Sequence, residues 1–133
     1  MSATDFFDTN ILLYLASGDP RKAETTEMFL NTRGWISVQV LNEFVSVALR
    51  KFRLTFAETR DFLEGFRDLL DVTPLSGATH DRAMEIVERY RFDIYDATIV
   101  AAALQSGCDT LYTEDLHHGQ KISGLTIRNP FTS

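Results

Sequence analysis

Four carboxylates stand where this chain could do chemistry: Asp8, Glu43, Asp96 and Asp115. Asp8 follows the apolar pair Phe6-Phe7 and opens Thr9-Asn10-Ile11-Leu12-Leu13-Tyr14-Leu15, a strand end running into a helix. Taken alone it is an N-cap, a position Asp fills well. Glu43 lies within Val40-Leu41-Asn42-Glu43-Phe44-Val45, early in the helix after a second strand, where a helix dipole also favours an acid. Asp96 lies in Phe92-Asp93-Ile94-Tyr95-Asp96-Ala97, and with Asp93 as N-cap it takes the N3 position of a strongly apolar helix. Asp115, in Thr113-Glu114-Asp115-Leu116, alone reads as an acidic turn after a strand.

Together the four make a different case. Each belongs to the carboxyl end of a strand or to the start of a helix, and open parallel sheets bind ligands in the crevice outside those ends. Carboxylates brought that close raise one another's pKa, and burial adds to the cost unless a cation or donors meet them. Hard oxygen donors of this kind call for Mg²⁺ or Mn²⁺. Such a cation can activate water and neutralise charge on a phosphate.

The elements that must position these acids follow from periodicity and punctuation. A first strand over Asp5–Phe7 leads to a helix from Thr9 to Ala16, ended by Ser17-Gly18-Asp19-Pro20. Asp19 caps a second helix that starts at Pro20, runs to Asn31 and buries Ala23, Met28, Phe29 and Leu30, with Gly34 closing it as a C′ residue. Trp35-Ile36-Ser37 is the second strand, and the apolar spacing of Val40, Leu41, Phe44, Val45, Ala48 and Leu49 predicts a helix to about Phe52. A helix over Thr55–Leu70 opens with a Thr55/Glu58 capping box and buries Phe56, Phe62, Leu63, Phe66, Leu69 and Leu70.

Asp71–Leu75 forms the third strand, then helices span Ala78–Tyr90 and Ile94–Ser106, the latter apolar nearly all round and hence buried. Asp109–Thr113 and Leu125–Ile127 are strands four and five, separated by a polar stretch over Glu114–Gly124. Strands alternating with helices predict an α/β fold: a three-layer α/β/α sandwich around a mainly parallel five-stranded sheet.

Composition narrows the partners. At 133 residues, 44% hydrophobic and 24% charged, the chain fits one ordered domain over 1–133. A net charge of −6 argues against a surface that grips nucleic acid all over, leaving room for a narrow basic rim around an acidic centre. Arg50, Lys51, Arg53, Lys121 and Arg128 are the candidates for such a rim. No apolar run approaches the roughly 18–20 residues of a membrane span. Met1-Ser2-Ala3-Thr4-Asp5 lacks the basic start of a secretory leader. The single cysteine, Cys108, suits a reducing cytoplasm and reads as a small buried hydrophobe. His117 and His118 have no partner at transition-metal spacing and read as solvated loop residues.

At the acids the sequence resembles a known family. FFDTNILLY, VQVLNEF, YDATIVAAALQSGCDTLYTEDL and the closing GLTIRNPF resemble the PIN-domain family, and more narrowly the VapC-type ribonuclease toxins of bacterial toxin–antitoxin pairs. The resemblance spans almost the whole chain, and Asp8, Glu43, Asp96 and Asp115 fall on that family's four metal-site positions; it implies that Asp8, Glu43 and Asp96 hold the cation, with Asp115 meeting it directly or through another ligand. It implies Mg²⁺- or Mn²⁺-dependent endonucleolytic cleavage of RNA, homodimerisation, and inhibition by a small VapB-like antitoxin. It also implies supporting roles for Asn10 and Thr113, residues that otherwise read as a first-turn amide and a strand-end hydroxyl. An apolar groove among the helices of Thr9–Leu70 is the expected seat of an antitoxin segment.

Three rival readings fit less well. A receiver-like signalling domain needs an acid after the third strand, where this chain has Thr73-Pro74-Leu75-Ser76. An aspartyl-nucleophile phosphohydrolase needs Asp-x-Asp, where this chain has Asp8-Thr9-Asn10. An inactive RNA-binding or scaffold module would have no need of all four acids.

Overall fold

The computed structural model describes residues 4–132, so most of the segment read for a leader, Met1–Ala3, lies outside it. In chain order the elements are β1 (Asp5–Phe7), α1 (Thr9–Leu13), α2 (Pro20–Leu30), β2 (Trp35–Ser37), α3 (Val38–Arg50) and α4 (Phe56–Leu69). They continue with β3 (Asp71–Thr73), α5 (Gly77–Tyr90), α6 (Ile94–Gln105), β4 (Thr110–Tyr112), β5 (Lys121–Ile122) and β6 (Leu125–Arg128).

The strands form one sheet in the order β3-β2-β1-β4-β6-β5, parallel except for β5. From β1 the chain steps outward through β2 to β3, then returns to β4 on the other side of β1. Right-handed crossovers in opposite directions put α1–α4 on one face and α5–α6 on the other. The order therefore reverses between β1 and β4, the place where an open sheet leaves a crevice for ligands. Phe6, Phe7, Ile36, Leu111 and Ile127 fill the buried centre of the sheet. Phe44 and Phe66 meet edge-on, 4.9 Å between ring centroids, to join α3 to α4. The alanines 97 and 101–103 bury α6. Among the described residues no helix is long and apolar enough to cross a membrane.

Several expectations shift. The sheet has six strands rather than five, because Lys121–Ile122 folds back antiparallel on β6 inside the stretch that reads as polar loop. Its two-residue turn places Ser123 at φ 50° and Gly124 at φ 90°, the left-handed pair that a tight hairpin requires. A serine in the first of those places hides the signal. The first helix ends at Leu13 rather than Ala16; Leu15 and Ala16 instead donate to carbonyls three residues back. Gly34 is not the left-handed cap, which is Arg33 at φ 68°. A Cβ at Gly34 would lie 2.6 Å from the Phe7 ring and 2.8 Å from the Asp5 carbonyl, so glycine is there to let β1 and β2 approach.

Met28, Phe56 and Leu69 are exposed, not core. Met28 stands off the Thr26–Leu30 stripe that α2 buries, and Phe56 begins α4 at its open first turn. The Thr55/Glu58 capping box is formed as expected. Cys108 is buried, and burial pushes its thiol up to about 12, so it is inert.

Candidate functional site

The switch point gathers the acids. Asp8 caps α1 directly after β1, and its backbone N–H donates to the Tyr112 carbonyl of β4 at 3.0 Å, tying the two strand ends together. Asp115 follows β4 by three residues. Asp96 opens α6, which runs against the strands and so presents its N-terminus at their carboxyl edge. One oxygen each from Asp8, Asp96 and Asp115 lie within 4.8 Å of one another.

Glu43 lines the same cleft of about 550 Å³ but stands outside that trio, so Asp115 takes the place beside Asp8 and Asp96 that the resemblance gives to Glu43. Its Oε1 accepts a 2.7 Å hydrogen bond from the Thr9 hydroxyl. Thr9, which sequence reasoning passed over, thus links Glu43 to Asp8, whose Oδ1 accepts the Thr9 backbone N–H. Helix α3 reaches this position because Ser37 caps it directly off β2.

A polar frame fixes Asp8 and Asp115. Thr113, fully buried, donates to Asp8 Oδ2 at 2.8 Å and accepts from the Asp115 backbone N–H at 3.1 Å. The Asn10 amide nitrogen lies 3.0 Å from Asp115 Oδ2, 3.1 Å from the Thr113 hydroxyl and 3.3 Å from Asp8 Oδ2, while its Oδ1 accepts from the Glu114 N–H at 3.2 Å. The Thr9 N–H donates to Asp8 Oδ1 at 2.7 Å. Asn10 and Thr113 therefore touch the acids they were expected to support.

Burial pushes the Asp8 carboxyl up to about 7, opposed by its bonds from Thr113 and Thr9 and reinforced by the Asp115 and Glu43 charges. Burial, then Asp93, raises Asp96 to about 6. Among the described residues no lysine or arginine forms an ion pair with any of the trio. The donor set is all carboxylate oxygen, running from buried Asp8 through half-buried Asp96 to exposed Asp115, and none of the three has a cationic partner among the described residues. That chemistry fits a hard divalent ion.

The expected basic residues do not share this position. Arg50 lines the cleft; Lys51, Arg53, Lys121 and Arg128 are exposed and lie outside its lining. His117 and His118 take no part in the acidic group, and His118 instead accepts from the Asn129 N–H at 2.9 Å, pinning the C-terminal segment.

Sequence reasoning also missed a brace beside Asp115. Lys22 Nζ lies 3.1 Å from Glu114 Oε2 and 3.0 Å from the Tyr14 hydroxyl, which itself donates to Glu114 Oε1. The ammonium sits over the Tyr14 and Phe131 rings, 4.5 and 5.0 Å from their centroids. Only the i, i+8 offset of Tyr14 and Lys22 hints at it in sequence, and nothing local links either to Glu114.

A second depression, of about 570 Å³, lies between α2 and α4 over an apolar floor of Leu15, Leu30, Phe62, Phe66 and Leu69, with Glu27, Glu58 and Asp61 around it.

The family model of the PIN domain matches residues 6–121. No protein of curated function matches the sequence. Among solved structures, a toxin–antitoxin complex from Klebsiella pneumoniae is 23% identical with a TM-score of 0.73, over 98% of this chain and 98% of that one. A DNA-bound VapBC from Salmonella typhimurium is 21% identical, TM-score 0.73, over 97% and 99%. VapC20 from Mycobacterium tuberculosis, a toxin that cleaves the sarcin–ricin loop, is 19% identical, TM-score 0.68, over 84% and 89%.

Proposed function

Because this chain belongs to the PIN-domain family, we propose that it is a metal-dependent endoribonuclease, a single nuclease domain over 1–133 acting as the toxin of a type II toxin–antitoxin pair. The observation that carries the reading is the uncompensated trio of Asp8, Asp96 and Asp115 at the switch point of the sheet. These three would hold Mg²⁺ or Mn²⁺. When bound there, a hard divalent cation supplies acidification of a water and neutralisation of charge on the scissile phosphate.

The chain's own residues supply the rest. Thr113 and Asn10 hold Asp8 and Asp115 in place, so the ligand geometry exists before any ion arrives. Glu43, anchored by Thr9 at one oxygen, keeps its other oxygen free to accept the proton of the attacking water. Arg50 offers the cleft its one cationic side chain, for the phosphate backbone.

The antitoxin is supported by the solved toxin–antitoxin neighbours, and the apolar groove between α2 and α4 is its proposed seat. A homodimer and a cytoplasmic location complete the reading.

Purified protein, freed of any antitoxin, is incubated with labelled total RNA plus Mg²⁺ or Mn²⁺, beside EDTA and Asp8→Asn controls. Discrete cuts that need both metal and Asp8 are expected. Cleavage that survives Asp8→Asn, or no cleavage together with no Mn²⁺ binding in titration calorimetry, overturns the reading.

A further inference from the structure

The acidic cleft carries one large feature that metal binding leaves unexplained. Tyr95, immediately before Asp96 in the first turn of α6, lines the cleft and is 67% exposed. Exposed aromatic area in a cleft is an unspent binding surface, since a ring buries 150–250 Å² when it finds a partner. Among the described residues no other ring packs on it, whereas Tyr14, Tyr90 and Tyr112 each have an aromatic neighbour.

Its backbone is held in place. Gln39 Nε2 donates to the Tyr95 carbonyl at 3.0 Å, and the next residue's N–H donates to Asp93 Oδ1 at 2.9 Å. The ring thus stands on a fixed helix start, one residue from an acid of the trio. Among the described residues, Tyr95 is the cleft's one aromatic lining residue and Arg50 its one cationic one. Arg50 Nε donates to the Ser46 carbonyl at 3.3 Å, which orients the guanidinium and leaves its terminal nitrogens available.

An aromatic plane, a cation and a carboxylate cluster in one cleft match three parts of a nucleotide: base, phosphate charge and metal-assisted scissile bond. We propose that Tyr95 is a stacking platform for an unpaired nucleobase beside the scissile phosphate, with Arg50 on an adjoining phosphate, so that the cleft takes single-stranded RNA. The proposal rests on the nuclease reading for the word scissile, but base stacking itself needs no cleavage. A base paired in a helix has both faces covered by its neighbours and cannot use the ring. The single-strand selectivity follows from that, since stacking on a side chain tolerates any base identity.

Binding is read by fluorescence anisotropy with a labelled ten-nucleotide single-stranded oligoribonucleotide in an Asp8→Asn background, where cutting is removed. Circular dichroism checks each variant's fold. Adding Tyr95→Ala is expected to weaken binding about tenfold, the size of one base–aromatic stack. Tyr95→Trp is expected to bind at least as tightly as the Asp8→Asn parent. A hairpin fully paired along its stem is expected to compete poorly. In otherwise unaltered protein, Tyr95→Ala should raise KM for the oligonucleotide with kcat nearly unchanged.

Equal affinity of Tyr95→Ala and its parent overturns the platform, and if the unaltered protein still cleaves RNA the nuclease reading survives that result. Tyr95-dependent binding without any cleavage by unaltered protein sustains the platform and sinks the nuclease. No binding by the parent, or a change of oligomeric state on Tyr95→Ala in sedimentation, overturns the platform, the latter by making Tyr95 a contact between copies of this chain.

Discussion

Two depressions of nearly equal size, about 550 and about 570 Å³, mark this molecule, and they are made by opposite means. The cleft at the carboxyl edge of the sheet is set by topology. Strand ends and helix starts deliver its acids, and hydrogen bonds from Thr113, Asn10 and Thr9 fix Asp8, Asp115 and Glu43. What it leaves unsatisfied is charge. The groove between α2 and α4 is set by side chains on two helix faces, and what it leaves unsatisfied is apolar surface. A small hard cation with a polyanion suits the first, and a segment of another chain suits the second. Changes in one should therefore leave the other's behaviour intact.

The sharpest break is Asp8→Asn. Losing a ligand of a cation that stabilises transition-state charge by several kcal/mol should cut RNA cleavage about a thousandfold. The same change removes a carboxylate that burial and its neighbours already disfavour. The metal-free Tm at pH 8 should not fall, while the rise on adding Mn²⁺ should vanish. Differential scanning calorimetry with and without the ion reads both.

Phe66→Ala should do the reverse. Phe66 is buried against Phe44 and floors the groove. Its removal should cost about 3–5 kcal/mol by urea denaturation. The Mn²⁺ affinity of the folded fraction should stay within twofold of the parent, because no groove residue touches the trio. A large loss of affinity would mean the two regions are coupled.

Acidity gives a smaller and graded separation. Asp8 and Asp96 keep their protons to about 7 and about 6 in the fold, above their ordinary value. The stability they contribute is complete below that ordinary carboxylate pKa, and it is lost as pH rises through 6 and 7. Between pH 5 and 8 the metal-free protein should therefore lose stability at these two groups. The Mn²⁺-induced rise in Tm should grow over the same window and then level, since ligands must be deprotonated to bind. A metal shift independent of pH over that range would show that the trio is not the binding set.

The two regions were also unequally legible in the sequence. Asp8, Glu43, Asp96 and Asp115 could be placed at one edge because each sits beside strand or cap signals, and α/β alternation fixes where strand ends go. The mainly parallel sheet follows the same logic, whereas the partnership of Asn10 and Thr113 with the acids was implied only by the family resemblance, since alone they read as a first-turn amide and a strand-end hydroxyl. Local pattern does not reveal how helix faces meet. Met28, Phe56 and Leu69 are apolar at helical spacing yet exposed. Whether such a face is covered depends on its neighbour, not on its own period. The hairpin strand at Lys121–Ile122 escaped because two residues are too few to show an alternation. That Glu43 stands outside the trio is set by where its side chain reaches, which spacing in sequence does not encode.

The brace beside Asp115 is the mildest test, and it asks whether the acidic cleft depends on more than its topology. Lys22 crosses from α2 to hold Glu114, and Glu114's own N–H donates to Asn10. The turn that carries Asp115 is therefore gripped on one side by a side-chain cation and on the other by the amide that also meets Asp115. Lys22→Met keeps the aliphatic stem over Tyr14 and Phe131 but removes the ammonium. A brace that orients a ligand typically changes metal affinity by about ten- to a hundredfold, and this partly exposed one should fall at the lower end, about tenfold. Lys22→Arg should restore most of it. Mn²⁺ titration alongside Tm separates positioning from stability: a brace lowers affinity with the Tm little changed. If Lys22→Met lowers the Tm and leaves affinity alone, the brace only fastens α2 and the C-terminal segment, and the strand ends position Asp115 unaided.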